Sequence, residues 1–298
     1  LFHAMFSIML FCTVFMMYPR AEVSAKRIEE VFNLDPIIKN KPADSDFDEK
    51  VSIEFDHVTF VYPDGEEPVL QDVSFKANKG EMIAFIGSTG SGKSTLVNLV
   101  PRFYDVSSGS IKINGKDIRD YDVLELRDKL GVIPQKAVLF SGTIADNIRF
   151  GKKDASDEEV EYAAKVAQAY PFIMEKENGF DEEISEGATN VSGGQKQRLS
   201  IARALVRKAQ IYIFDDSFSA LDFKTDAILR KELKKEMTES IMLVVAQRIS
   251  SIMEADQIIV LNEGKVVGKG THHQLLKECQ IYHEIATSQL SEEELANA

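Results

Sequence analysis

The stretch Gly87 to Thr95, "GSTGSGKST", constrains this chain more than any other, because it lies between an apolar run, "EMIAFI", and a helix-like run, "KSTLVNLV". The spacing G-x-x-x-x-G-K-[ST] in a strand, loop, helix setting is a phosphate cradle. In the loop Gly87, Ser88, Thr89, Gly90, Ser91, Gly92, the glycines let backbone N–H groups curl around phosphate, and the start of the following helix adds positive potential. Lys93 then reaches the β- and γ-phosphates, Ser94 binds Mg²⁺, and Thr95 closes the motif. A nucleoside triphosphate, ATP or GTP, is the implied ligand.

A loop of this kind needs a parallel sheet behind it. "EMIAFIG", "IYIFD" and "IMLVVAQ" are nearly continuous apolar runs ending in turn or helix signals, as expected for central strands covered on both faces. By contrast, "VSIEFDHVTFVY" alternates apolar and polar residues, and "GSIKINGKDI" puts Asn114-Gly115 at a hairpin turn, both antiparallel signals. Residues 141–208 read mostly as helix, for example "SDEEVEYAAKVAQAYPFIMEKE". An apolar fraction of 44% over 298 residues supplies a core. The formal charge of −13 argues against a nucleic-acid surface, so an anionic ligand must be held locally. Cys12 and Cys279 show no metal-ligand spacing, and a reducing cytosolic setting fits.

The first 18 residues, "LFHAMFSIMLFCTVFMMY", are almost wholly apolar and are followed by Arg20, Lys26 and Arg27, a basic flank of the cytoplasmic kind. They read as the inner end of a membrane helix that continues to about Asp35-Pro36, in a chain whose preceding membrane helices are missing. A signal-peptide core or an ordinary buried helix are the alternatives.

Two more stretches carry chemistry. "IYIFDDSFSALD" ends a strand in the doublet Asp215-Asp216, and a carboxylate there either holds Mg²⁺ or caps the next helix. In "VSGGQKQRLSIARAL", Ser192 and Gln195 have capping-box spacing, yet Gly193 and Gly194 in the first turn each cost roughly 1 kcal/mol against Ala. Something must approach that backbone closely, and phosphate is the natural candidate.

With these motifs in place, residues 51–290 resemble the nucleotide-binding domain of ABC transporters. The match comprises Walker A at Gly87 to Thr95, the Q-loop at Gln135 in "GVIPQKAVLFSGTIADNI", the signature "VSGGQ", Walker B "IYIFDD" and the D-loop "SALD". The resemblance implies an α/β fold: a P-loop NTPase (RecA-like) core with an antiparallel β subdomain and an inserted α-helical subdomain, preceded by the end of a transmembrane helix. It implies a head-to-tail dimer, with each ATP held between the Walker motifs of one domain and the signature of the other. Tyr62 becomes the adenine-stacking aromatic or an ordinary edge-strand residue, and Gln135 a Mg²⁺ and water sensor or a loop amide. Mg²⁺ falls to Ser94, Gln135 and Asp215, and the partner's ATP to Ser192, Gly193, Gly194 and Gln195. Glu186 matches the exporter X-loop glutamate, although Ser185, Gly187 and Ala188 depart from that pattern, and a solvated acidic loop is the alternative. The helix before the domain favours exporter over importer.

The chain departs from the family at two catalytic positions. Asp216 stands where working sites carry the Glu that polarises water, and Gln247 where they carry a His. Asp is shorter by about 1 Å, and a misplacement of that size can cost about 10²-fold in rate. Gln donates a hydrogen bond but cannot become cationic. Together the changes resemble the degenerate-site subunit of a heterodimeric exporter, which binds ATP firmly and hydrolyses it slowly, while its intact signature completes the partner's site. A homodimer with two slow sites and a non-transport ABC ATPase are the competing expectations. The expected layout is membrane-helix end and cytoplasmic extension over 1–35, linker over 36–50, ATP-binding domain over 51–290 and acidic tail over 291–298. The full-length protein is then expected to be multi-pass in the cell membrane, with this domain on the cytoplasmic side.

Overall fold

The computed structural model describes residues 1–41 and 51–290, so most of the expected linker, 42–50, and the expected tail, 291–298, lie outside the described residues. Contacts divide the chain into two units, one ending at Lys39 and the other beginning at Asn40.

The first unit is built on the helix Phe2–Phe32, which by length and composition can cross a membrane. Its 31 residues, none buried, give a length of about 46 Å at 1.5 Å per residue, against roughly 30 Å of hydrocarbon. Pro19 lies inside it without ending it. The helix closes at Phe32, short of the Asp35-Pro36 stop expected, where the Asn33 N–H donates to the Glu29 carbonyl.

In the second unit, Asn40 donates to the Asp122 carboxylate (2.6 Å) and accepts the Val123 N–H (2.9 Å), and Lys41 pairs with Asp120. Part of the segment expected to be linker is therefore held by this unit. Its central sheet has the order Lys265–Gly270, Gln257–Asn262, Met82–Gly87, Ile241–Val245, Ile211–Asp215, Leu130–Ile133. All neighbours are parallel except the edge strand Lys265–Gly270. Period-two alternation sorts their side chains into two cores. Ile83, Phe85, Ile213, Leu243, Val245 and Ile259 pack with the antiparallel sheet, and Ala84, Ile86, Phe214, Val244 and Ile258 pack with the helices. Burial on both faces is why these strands read as continuous apolar text.

The antiparallel sheet runs Leu70–Asn78, Ser52–Phe60, Ser108–Ile113, Lys116–Asp117. The expected turn is present: Asn114 and Gly115 take φ of 54° and 79°, the two positive values that a tight hairpin requires. Between 141 and 208 lie the helices Ile144–Arg149, Asp157–Val166, Tyr170–Met174 and Gly193–Leu205. Capping boxes start the first, second and fourth of these. The hairpin Gln257–Asn262 with Lys265–Gly270 is absent from the expected elements, although "NEGK" places Glu263 and Gly264 at φ of 47° and 75°.

Candidate functional site

Four adjacent parallel strands, Met82–Gly87, Ile241–Val245, Ile211–Asp215 and Leu130–Ile133, deliver the phosphate loop, Gln247, Asp215-Asp216 and Gln135 from their carboxyl ends. That edge of a parallel sheet is where loops to helices leave room for a ligand. Gly87 turns the chain out of its strand at φ 156°, and a Cβ there would lie 2.0 Å from the Leu261 carbonyl oxygen of the neighbouring strand. Gly87→Ala is therefore expected to lower folding stability by about 3 kcal/mol or more, read as a fall in the denaturation midpoint. Gly92, at φ 94°, closes the loop just before the helix Lys93–Leu99.

The buried Lys93 ammonium donates to the carbonyls of Gly87 (2.9 Å) and Ser88 (2.7 Å) and to Ser91 Oγ (3.3 Å). Burial pulls its pKa below the usual lysine value, partly opposed by the carboxylates of Asp216 and Asp215. Ser94 Oγ donates to Asp215 Oδ1 at 2.8 Å. Burial also raises the Asp215 pKa, with the neighbouring Asp216 charge acting in the same direction and the Ser94 bond and Lys93 against it. A hydroxyl and a carboxylate in contact, the latter strained as an anion, form an oxygen donor set suited to a hard cation such as Mg²⁺. The residues fit that ion.

Asp216 lies just past the strand end at φ 48°, a left-handed conformation that Asp tolerates better than most residues. This turns its carboxylate to where Oδ2 accepts both Gln135 Nε2 (3.0 Å) and Gln247 Nε2 (2.7 Å). The two altered catalytic positions and the expected sensor Gln135 thus meet on one oxygen. Tyr62, half-buried, meets Phe60 and Tyr104 edge-on at 4.8 and 5.2 Å between centroids, and its hydroxyl pairs with Thr95 Oγ1 at 3.0 Å. The aromatic expected to stack on adenine is therefore tied to the phosphate-loop helix, a link with no sequence signal.

The signature lies elsewhere on the surface. Ser192 Oγ accepts the Gln195 N–H (3.3 Å) and Gln195 Oε1 accepts the Ser192 N–H (3.0 Å), a reciprocal cap. A Cβ on Gly193 would meet nothing within 4 Å, so packing within this chain does not call for a glycine there. Gly194 faces the Ala220 carbonyl of the D-loop, 3.2 Å from where a Cβ would stand. Glu186 is exposed in the short turn Glu186–Ala188, where Ala188 itself has φ 55°, the conformation a glycine would take without strain.

Residues 70–219 match the ABC transporter family model, and the chain belongs to that family. It is 44% identical over 276 residues to an uncharacterised ABC transporter ATP-binding protein of Mycobacterium tuberculosis, covering 91% of this chain and 47% of that protein. It is 44% identical over 237 residues to a putative multidrug export ATP-binding/permease protein of Staphylococcus aureus, covering 80% of this chain and 41% of that protein. Among solved structures, a bacterial Atm1-family ABC exporter with ATP bound superposes with a TM-score of 0.88 at 34% identity, covering 94% of this chain and 49% of that one. The chain spans about half the length, or somewhat less, of the curated relatives it matches. It carries an ABC-type ATP-binding domain, of the class that hydrolyses ATP.

Proposed function

We propose that this chain is the ATP-binding part of one half of a heterodimeric ABC exporter, whose own Walker site binds ATP firmly and hydrolyses it slowly. The observation that carries this reading is the Asp216 carboxylate, one methylene short of Glu and engaged on Oδ2 by two amides that cannot titrate. The intact signature, Ser192 to Gln195, then serves the competent site of a second, different half-transporter. The relatives described as exporters, together with an exposed helix able to cross a membrane, support outward transport of a hydrophobic or amphipathic compound. On this reading the helix Phe2–Phe32 ends a multi-pass membrane part, and the ATP-binding domain spans 51–290 with Asn40 and Lys41 of the preceding segment seated on it.

In this mechanism Tyr62 stacks on adenine and the loop Gly87 to Gly92 wraps the phosphates with backbone N–H groups. Lys93 exchanges its loop carbonyls for β- and γ-phosphate oxygens, which satisfies a buried ammonium with a charged partner. Ser94, Asp215 and Gln135 would hold Mg²⁺, which would supply charge neutralisation on the phosphates. Asp216 positions water only weakly, and Gln247 donates a hydrogen bond without the cationic charge a His could bring to the transition state. Lys93→Ala is expected to weaken ATP binding at this site by about 10²-fold, from the loss of charge-assisted bonds worth roughly 1.5–3 kcal/mol each. Titration of the complex with labelled ATP measures it.

The test of the whole proposal is ATPase activity of the purified subunit against that of the complex with its partner. The subunit alone should be nearly inactive and the complex active. Robust turnover by the subunit alone would instead overturn the heterodimer reading.

A further inference from the structure

Past Ala246, whose N–H still donates to the Phe85 carbonyl of the neighbouring strand, the chain leaves the sheet, so the backbone polar groups of residues 247–249 need other partners. Two of them find the same side chain. Gln289, the last residue of the helix Gln280–Gln289, accepts the Ile249 N–H on Oε1 (2.8 Å) and donates from Nε2 to the Gln247 carbonyl (2.9 Å). One side-chain amide thus clamps the backbone on both sides of Arg248, next to the residue whose own side chain reaches Asp216 at 2.7 Å.

The helix that carries Gln289 has a fixed base. Tyr282 and Ala286 are fully buried in the helix-side core, and the Tyr282 hydroxyl bonds the buried His272 ring at 2.7 Å. The same helix also faces the phosphate loop: Ile281, Ile285 and Ser288 line one wall of a cavity of about 420 Å³ whose other wall includes Gly87, Ser88 and Lys93. Gln289 is therefore the end of an anchored arm beside the nucleotide cleft.

We infer that Gln289 is a positioning residue for the nucleotide site, holding the 247–249 backbone so that the side chain at 247 stays directed at the residue at 216. This rests on the roles proposed above for those two positions. Gln289 lines the same cavity, but its side-chain bonds go to the backbone at 247 and 249, and it acts through the residue at 247.

The test uses the full-length transporter with its partner. Deuterium exchange of the peptide spanning residues 246–252 reads the clamp directly. Gln289→Ala should speed exchange there about tenfold, equivalent to roughly 1.4 kcal/mol. Gln289→Glu, which keeps the acceptor for Ile249 but loses the donor for Gln247, should leave the Ile249 amide protected. Unchanged exchange in Gln289→Ala overturns the clamp. Positioning is read in an Asp216→Glu/Gln247→His background, where adding Gln289→Ala should lower kcat about tenfold with KM for ATP unchanged. Faster exchange with kcat unchanged would overturn positioning and leave only a structural contact. If that background gains no turnover, the failure belongs to the proposed degenerate site. Retention of radiolabelled ATP by Gln289→Ala, Gln247→Ala and the double variant then decides, coupled losses supporting positioning and additive losses overturning it.

Discussion

Turnover at this chain's own Walker site is expected to rise by about 10²-fold when Asp216 is replaced by Glu and Gln247 by His in the same molecule. The longer carboxylate restores the reach that Asp lacks, and the imidazole restores a group able to carry charge near the γ-phosphate. Each change alone should give less, because the two side chains are in contact through one carboxylate oxygen and their effects need not add. The measurement is steady-state ATP hydrolysis by a complex in which the partner's phosphate-loop lysine has been replaced, so that only this site reports. Asp216 sits at φ 48°, where a Glu is less at home, so a stability loss of roughly 1 kcal/mol should accompany the gain in rate. No gain in turnover would mean that other residues slow the site.

The second large effect concerns the opposite face. Gly193→Asp is expected to cut ATP hydrolysis of the complex by about 10²-fold or more, because it sets a carboxylate where the partner's phosphates would gain charge. The substitution is chosen because this chain can accept it. Nothing lies within 4 Å of a Cβ there, the Ser192–Gln195 cap stays in place, and an acid in the first turn of a helix is favourable. Unfolding temperature and ATP binding at the chain's own site should therefore be unaffected. Turnover of the complex equal to that of the parent would refute the assignment of the signature to the partner's nucleotide.

Much of this was legible in the sequence because a few residues carry strict local demands. The phosphate loop needs its glycines, the parallel strands need apolar side chains on both faces, and Asn114-Gly115 needs two positive φ values; each leaves a readable pattern. What could not be read depends on contacts between distant segments. Nothing around Gln289 marks it out, since a glutamine ending a helix is ordinary until that helix docks on the 247–249 backbone. The hydroxyl pairing of Tyr62 with Thr95 and the meeting of Gln135 with Gln247 on Asp216 are likewise products of strand order, which brings together residues 33, 81 and 31 positions apart. The seating of Asn40 and Lys41 on the domain was missed for the same reason, because "NK" next to a proline reads locally as linker.

The division of the sheet into two cores bears on how a site of this kind can arise. Every strand residue up to Phe214 and Val245 is committed to one core or the other, whereas the residues at 216 and 247 lie beyond the strand ends and belong to neither. Chemistry and folding are thus written in separable stretches of chain, the strands and the turns that follow them. A lineage can retire one of two hydrolytic centres by substitutions at those two positions while the fold, the nucleotide grip and the surface offered to the other subunit persist, leaving asymmetry as an option that is structurally close at hand.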